Sequence, residues 1–220
     1  MHNARIKAFS ETENNPMKRL LILLKTLLLV TLVFTSVASA SDTYTVQKGD
    51  SLWKIAVKYQ IGLSEIISAN PQFKDPHWIY PGDKVYVPNI DSTKSIEQQV
   101  IDLTNQQRVN NGLKPLTVDW EVSRVARYKS VDMRDKNYFS HESPTYGSPF
   151  TMLTNFGISY RSAGENIAAG QRTAQEVVTA WMNSAGHRQN ILNASYTHIG
   201  VGYASGGSYG TYWTQMFISK

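Results

Sequence analysis

The chain has 220 residues, 41% of them hydrophobic, which allows one or two ordinary globular domains. The formal net charge is +5, but residues 1–40 contribute three of those charges and the remainder is close to neutral. No basic stripe stands out, so nucleic acid is not expected as a partner. The sequence contains no cysteine, which excludes disulfides, thiolate metal sites and a thiol nucleophile.

The first 40 residues have the pattern of an export signal. A basic pair precedes an apolar run that Lys25 interrupts, and Ala38-Ser39-Ala40 fits the small-residue cleavage rule. The apolar stretch after Lys25 has only about nine residues, against the ~20 that a bilayer requires. We predict a signal peptide over residues 1–40 and a mature protein with no integral membrane span. Residues 1–16 are polar, so Met17 is an alternative start.

Residues 43–88 are predicted to form a small unit in the order strand, helix, helix, strand. Tyr44-Thr45-Val46 alternates like a strand, and apolar residues then recur at helical spacing from Leu52 to Tyr59. A second helix ends before Asn70-Pro71, because a residue that precedes proline avoids the α region. Pro81-Gly82 then forms a turn before the closing strand.

This unit resembles a LysM domain over its whole length, through the segments VQKGDSLWKIAVKY, SANP and IYPGDKVYVP. The resemblance implies binding of N-acetylglucosamine-containing glycans, that is, peptidoglycan or chitin, in a groove between the loop after the first strand and the loop before the last. The implied glycan-binding residues are Gly49, Asp50, Ser51, Leu52, Asn70, Pro71, Ile79, Tyr80, Pro81 and Gly82. Leu52 and Ile79 have an equal alternative role in the small core. Trp53 and Trp78 are expected to pack rather than to contact a ligand.

A polar segment, residues 89–94, is predicted to link this unit to a larger domain over residues 95–220. That domain begins with a helix from Ser95 to Asn111, and Asp119 is expected to cap a second helix. Further predicted elements are a short helix at 150–156, an extended segment at 160–169, a helix at 174–183 and strands at 199–203 and 212–218. Runs of helices with a terminal pair of strands indicate the α+β class.

Several ordered segments of the large domain are similar to those of the CAP superfamily, the cysteine-rich secretory, antigen-5 and pathogenesis-related proteins, in its cysteine-free bacterial branch. The segments are YFSH at 138–141, GENIA at 164–168, AWMNSAGHRQNIL at 180–192, HIGVG at 198–202 and YWTQMF at 212–217. The resemblance sharpens the expected fold to an α-β-α sandwich.

The CAP resemblance also implies a cleft lined by two His and two Glu, whose His pair holds a metal in some members. His141 matches the first His, and Glu165 matches the Glu of the GEN motif. Ser184 stands where the second Glu is expected, and Tyr212 stands where the second His is expected. Half of the tetrad is therefore replaced. A substitute cluster of His141, Glu165, Tyr212 and an inward-turned His187 is one possibility.

Each candidate in the cleft also has a purely structural interpretation. Glu165 is equally suited to accept backbone hydrogen bonds. For His141 the alternative is the cap of a turn, but its family position favours the cleft. His187 follows a helix end, where a cation interacts favourably with the last carbonyls. Asn166 and Asn190 are predicted to fasten loops rather than to act in catalysis.

Together these features predict a secreted cell-wall protein that LysM tethers to peptidoglycan, with the CAP domain at the wall or a spore surface. In the first hypothesis CAP is a non-enzymatic binding module for a lipid, a small apolar ligand or a wall protein. It rests on the replaced half of the tetrad and on the lack of a credible nucleophile, since the G-x-S-x-G match at 206–210 lies between strands. The alternative is a wall hydrolase with Glu165 as general base and His141 or His187 as its partner. A third hypothesis is Zn²⁺ binding through His141 and His187; no other cofactor is expected.

Overall fold

The structure, a computed structural model, describes residues 42–220. The predicted signal peptide and the alternative start at Met17 lie outside the described residues. Asp42–Lys220 form one compact unit that contains two different architectures. Across this described part of the chain, none of the helices combines the length and the apolar character needed to cross a membrane.

The first architecture is the predicted strand-helix-helix-strand unit. Its elements are β1 (Asp42–Thr45), α1 (Leu52–Tyr59), α2 (Leu63–Ala69) and β2 (Lys84–Val87). The two strands pair antiparallel, with Thr45 opposite Lys84. Ser51 caps α1 as predicted, because its hydroxyl accepts a hydrogen bond from the Lys54 backbone N–H at 3.2 Å.

A small apolar core holds this unit together, and one buried amide fastens it. The core residues are Val46, Leu52, Ile55, Ala56, Ile61, Ile66, Val85 and Val87. The Asn70 side-chain nitrogen donates to the carbonyls of Ile66 and Tyr86, each at 2.7 Å. Its oxygen accepts from the Tyr86 N–H at 2.8 Å. Asn70 therefore ties α2 to β2.

The second architecture follows almost without a break. Its elements are α3 (Asp91–Asn110), β3 (Thr117–Val118), α4 (Trp120–Asp135), α5 (Pro149–Asn155), β4 (Ser162–Ala169), α6 (Ala174–Asn183), α7 (Ala185–Ile191), β5 (His198–Ser205) and β6 (Thr211–Ser219). The expected linker is not a separate segment, since α3 begins at Asp91 rather than Ser95. An acidic residue suits a first helical turn, and polar composition does not distinguish an exposed turn of helix from a linker.

The four strands form one sheet in the order β3-β5-β6-β4. Helices cover both of its faces, which confirms the α-β-α sandwich. Trp213 and Phe217 of β6 face the layer of α3, α6 and α7, together with Val177 and Trp181. Met216 belongs to the opposite core, with Val122 and Val125 of α4 and Met152 of α5.

The backbone of α4 lies directly against β5, and two glycines make this possible. A Cβ at Gly202 would lie 2.1 Å from the carbonyl carbon of Ala126, and a Cβ at Gly200 would lie 2.3 Å from the backbone nitrogen of Ser123. Real Cβ atoms do not approach backbone this closely. The sequence HIGVG thus sets the distance between helix and sheet.

Gly202→Ala is expected to lower the free energy of unfolding by about 1–3 kcal/mol or more, because backbone atoms of α4 must move to admit the methyl group. Urea denaturation measures the change. Gly186→Ala is the matched control, since a Cβ there meets nothing within 4 Å. Equal stability of the two variants would contradict the close packing of α4 on β5.

Candidate functional site

The two loops implied to form the glycan groove meet at one end of the β1–β2 sheet. The Val46 N–H donates to the Asp83 carbonyl, and the Gly82 N–H donates to the Val46 carbonyl, each at 2.9 Å. The Tyr80 N–H donates to the Asp83 carboxylate at 2.8 Å and closes the second loop. Gly49 and Gly82 have φ of +89° and +99°, a region that favours glycine.

The polar side chains of the first loop shape that loop. The Asp50 carboxylate accepts from the Gln47 N–H at 2.8 Å and from the Tyr44 hydroxyl at 2.7 Å. The Gln47 N–H, followed by the Tyr44 hydroxyl, lowers the pKa of Asp50. Ser51 is occupied as the cap of α1. These two side chains hold the backbone of the groove in place.

Two of the implied glycan-binding residues have side chains that serve the fold. Leu52 is a buried core residue, and the buried Asn70 amide is used by α2 and β2. Neither side chain is available to a ligand, because a small domain needs its apolar groups in the core and buried polar groups need partners. Ile79 packs against the same core, whereas the Tyr80 residue is 63% exposed.

The two tryptophans differ from each other. Trp78 is 66% exposed, so the expectation that it packs is wrong. The aliphatic core is closed without its ring, and the sequence pattern of a loop does not determine where a side chain points. Trp53 is 40% exposed and does pack, since its ring lies 5.2 Å from the Arg124 guanidinium. Pro71, like Trp78, lies in the exposed part of the second loop.

In the CAP domain the structure brings His141 and Glu165 into direct contact. The Nδ1 atom of His141 lies 2.7 Å from Oε1 of Glu165. The Glu165 side chain is 1% exposed and the His141 side chain is 55% exposed. Glu165 is opposite Met216 in the β4–β6 pairing, so it faces α4, and the loop after α4 places His141 over it.

Lys129 of α4 contacts the loop that carries His141. It is a buried residue whose Nζ donates to the His141 carbonyl at 2.7 Å and lies 5.1 Å from the centre of the Tyr138 ring. Burial lowers the pKa of Lys129, while the charge of Glu165 opposes that shift. Lys129 therefore holds the main chain of the loop that carries His141.

Sequence reasoning missed Lys129, although the signal was present. It lies four positions after Val125 and four before Met133, on the buried stripe of α4. Lysine is almost never fully buried unless it is paired. A cation on such a stripe therefore indicates a partner inside the domain.

Burial raises the pKa of Glu165, and the hydrogen bond from His141 and the charge of Lys129 oppose the rise. Within residues 42–220, Oε2 of Glu165 has no hydrogen-bond partner and no contact with solvent. A general base must reach the proton that it takes, so the geometry does not support that role for Glu165. The carboxylate instead orients the imidazole, and more than half of the His141 side chain meets solvent.

The remaining two members of the predicted cluster differ. Burial, and then the charge of His141, lower the pKa of His187. Tyr212 is fully buried beside Met133 and Ile167, and its hydroxyl has no partner among the described residues. Tyr212 therefore does not line an open cleft with His141, because its position on β6 directs it under α4.

No group of three or more His, Cys, Asp or Glu in the described residues is arranged to hold a metal ion. Ser184, at the position of the second Glu, lies at the junction of α6 and α7. Tyr212, at the position of the second His, is enclosed in the core. The residues present therefore do not fit the tetrad metal site.

Asn166 and Asn190 have the fastening role that the sequence predicted. The Asn190 side chain donates to Oδ1 of Asn166 at 2.9 Å and to the Glu165 carbonyl at 3.2 Å. Asn166 in turn donates to the His187 carbonyl at 3.1 Å. These bonds fix α7 against β4. The segment 206–210 is the turn between β5 and β6, as expected for a hairpin.

Comparison with known proteins gives the family. The model of the cysteine-rich secretory protein family, CAP, matches residues 101–217, and the LysM domain model matches residues 44–88. The chain belongs to the CAP family and carries a LysM domain ahead of the CAP domain.

Three relatives illustrate the match. YkwD of Bacillus subtilis (strain 168) is 61% identical over 129 residues, which are 59% of this chain and 49% of YkwD. SpoIVD-associated factor A of the same organism is 50% identical over 46 residues, 21% of this chain and 12% of that protein. The crystal structure of an extracellular protein containing a SCP domain from Bacillus anthracis str. Ames is 40% identical, with a TM-score of 0.53, and the match covers 64% of this chain and 47% of that one. This chain spans about half the length, or less, of each.

His141→Ala is expected to lower the free energy of unfolding by about 1–3 kcal/mol, because the buried Glu165 carboxylate loses its hydrogen-bond partner. In a Glu165→Met background the same substitution is expected to cost little, since no buried carboxylate remains. Chemical denaturation of the four proteins measures the coupling energy.

The control for this cycle is His77→Ala, at an exposed histidine of the LysM domain, which is expected to change stability by less than about 0.5 kcal/mol. An equal cost of His141→Ala in both backgrounds would show that the His141–Glu165 contact does not stabilise the fold.

Proposed function

We propose that this protein is a secreted, cell-wall-associated protein that its LysM domain tethers non-covalently to peptidoglycan, and that its CAP domain is a binding module at the wall or a spore surface. The LysM match supports binding to peptidoglycan or a chitin-like glycan. The similarity to an extracellular SCP-domain protein supports export. The observation that carries the proposal is the LysM domain itself, with its two groove loops joined beside an exposed aromatic ring.

The chemistry of the groove suits an amino-sugar polymer. Sugars offer hydroxyl and acetamido groups to backbone amides, and apolar faces to aromatic side chains. A Cβ at Gly49 or at Gly82 would meet nothing within 4 Å, so the backbone at both turns is open to approach. Tyr80 supplies an exposed ring beside one of them.

The geometry of the CAP domain favours binding over hydrolysis. Glu165 is enclosed, so the only member of the pair that meets solvent is His141. Within residues 42–220, the side-chain hydrogen bond of His141 goes to Glu165 and not to a serine or threonine that it would activate. An oriented, half-exposed imidazole is suited to hydrogen bonding a ligand.

One observation favours a second candidate function. The 2.7 Å contact orients the His141 ring through Nδ1 and leaves its other nitrogen free to take a proton. In a hydrolase of this kind His141, not Glu165, is the general base toward a water molecule, and Glu165 stabilises the imidazolium. The substrate class is wall glycan or peptide.

Tyr80→Ala is expected to weaken pelleting with purified insoluble peptidoglycan about tenfold, which corresponds to ~1.4 kcal/mol, because the groove loses its exposed ring. The matched control is Tyr86→Ala, an exposed tyrosine of β2 outside the two loops, which is expected to bind like the unchanged protein. Equal binding by both variants would remove Tyr80 from the groove, and no pelleting of the unchanged protein would refute the tether.

Hydrolysis is tested on the same material. The unchanged protein and His141→Ala are each incubated with purified peptidoglycan, and soluble sugar and peptide fragments are quantified. For a binding module we expect no release by either protein. Release that His141→Ala abolishes, while circular dichroism shows that the variant is folded, would establish the hydrolase instead.

A further inference from the structure

The LysM and CAP domains contact each other along one surface, which we term the LysM–CAP contact. The LysM side consists of Trp53, Tyr59, Gly62, Ser64 and Glu65, and the CAP side consists of Lys94, Arg124 and Tyr128. The Tyr128 hydroxyl donates to the Glu65 carboxylate and accepts from the Ser64 hydroxyl, each at 2.8 Å. The Lys94 ammonium donates to the Tyr59 carbonyl at 2.9 Å. Hydrogen bonds across the contact therefore pair the Tyr128 hydroxyl with LysM side chains and the Lys94 ammonium with a LysM carbonyl.

Gly62 shows that this contact is fitted closely. A Cβ at Gly62 would lie 1.8 Å from the Tyr128 hydroxyl oxygen and 1.9 Å from a carboxylate oxygen of Glu65. The backbone of Gly62 has φ −77° and ψ 152°, which any residue adopts, so glycine is not required for conformation. A methyl group at this position would displace the Tyr128 ring and the Glu65 carboxylate, the two side chains that meet at the contact.

A buried cation joins the domains at a second point. Arg124 of α4 is buried, and its guanidinium lies 5.2 Å from the Trp53 ring and 5.4 Å from the Phe156 ring. The rings of Trp120 and Tyr128 are each at 6.0 Å. Aromatic faces stabilise a desolvated guanidinium. Trp53, from the LysM domain, supplies the nearest of the four.

The segment that connects the two domains is short and restricted in conformation. β2 ends at Val87 and α3 begins at Asp91, so residues 88–90 alone lie between them. Pro88 has a fixed φ, and Ile90 packs against the LysM core. A connection this short and this anchored does not act as a flexible tether.

The contact also continues toward the loop of His141. Tyr128 packs on Phe156 with ring centres 5.3 Å apart, and Phe156 packs on Tyr146 at 5.7 Å. The Tyr146 N–H donates to the Ser143 hydroxyl at 2.9 Å, two residues beyond His141. The same aromatic row thus abuts the LysM domain at one end and the His141 loop at the other.

We propose that the LysM and CAP domains are one rigid body, docked through Gly62, Tyr128 and Arg124. When LysM holds a glycan strand, the His141 face of CAP then has one fixed orientation relative to that strand. The part concerning the glycan rests on the proposed function. The docking itself does not, because it depends on contacts within this chain.

The test is the rotational diffusion of the chain from residue 41 onward, from ¹⁵N NMR relaxation. For the unchanged protein we expect one common rotational correlation time for amides of both domains. Gly62→Ala is expected to split it into two, with the shorter time for the LysM amides. Gly186→Ala, where a Cβ meets nothing within 4 Å, is the control and is expected to keep one common time.

Two separate correlation times in the unchanged protein would overturn the proposal. Tyr128→Ala removes the hydroxyl and ring from the CAP side without altering LysM, so it decides the matter if Gly62→Ala does not fold. One common time retained in Tyr128→Ala would overturn the assignment of the docking to Gly62 and Tyr128. Pelleting with peptidoglycan reports the tether separately, so failure of the rigid body and failure of the proposed function are distinguishable.

Discussion

The burial of β6 between two helical layers is the constraint on which the CAP domain depends. The strand pairs with β4 on one side and β5 on the other, and every residue from Tyr212 to Ser219 is buried. A strand covered on both faces must satisfy its polar groups within the protein. Gln215 illustrates the solution, since its side-chain amide donates to the Thr104 hydroxyl of α3 at 2.8 Å and so ties the sheet to a helix.

The candidate site is a consequence of that sheet. The β4–β6 register turns Glu165 toward α4, where a carboxylate is costly to bury unless it is paired. His141 supplies the partner from above, and the charge of Lys129 opposes the rise in the pKa of Glu165. Lys129 also holds the carbonyl of His141. The same contacts that make the buried carboxylate tolerable thus present an oriented imidazole to solvent.

The LysM domain also makes contacts with its neighbour. A domain of this size buries a smaller fraction of its surface than a larger domain does and is marginal by itself. Contact with the CAP domain adds hydrogen bonds to Tyr128 and a cation–aromatic contact between Arg124 and Trp53. Because Trp53 lies two residues beyond Ser51, the docked surface lies beside the first of the two loops.

The sequence by itself determined the features that neighbouring residues control. Ser51 and Asp119 cap the predicted helices, because capping depends on residues two or three positions apart, and ordered motifs identify the LysM and CAP domains. Only the tertiary structure decided the direction and burial of single side chains. Tyr212 is enclosed, Lys129 is recruited to the site and Trp78 is left exposed. These outcomes depend on which distant segments pack over each position, and the local sequence pattern does not determine that packing.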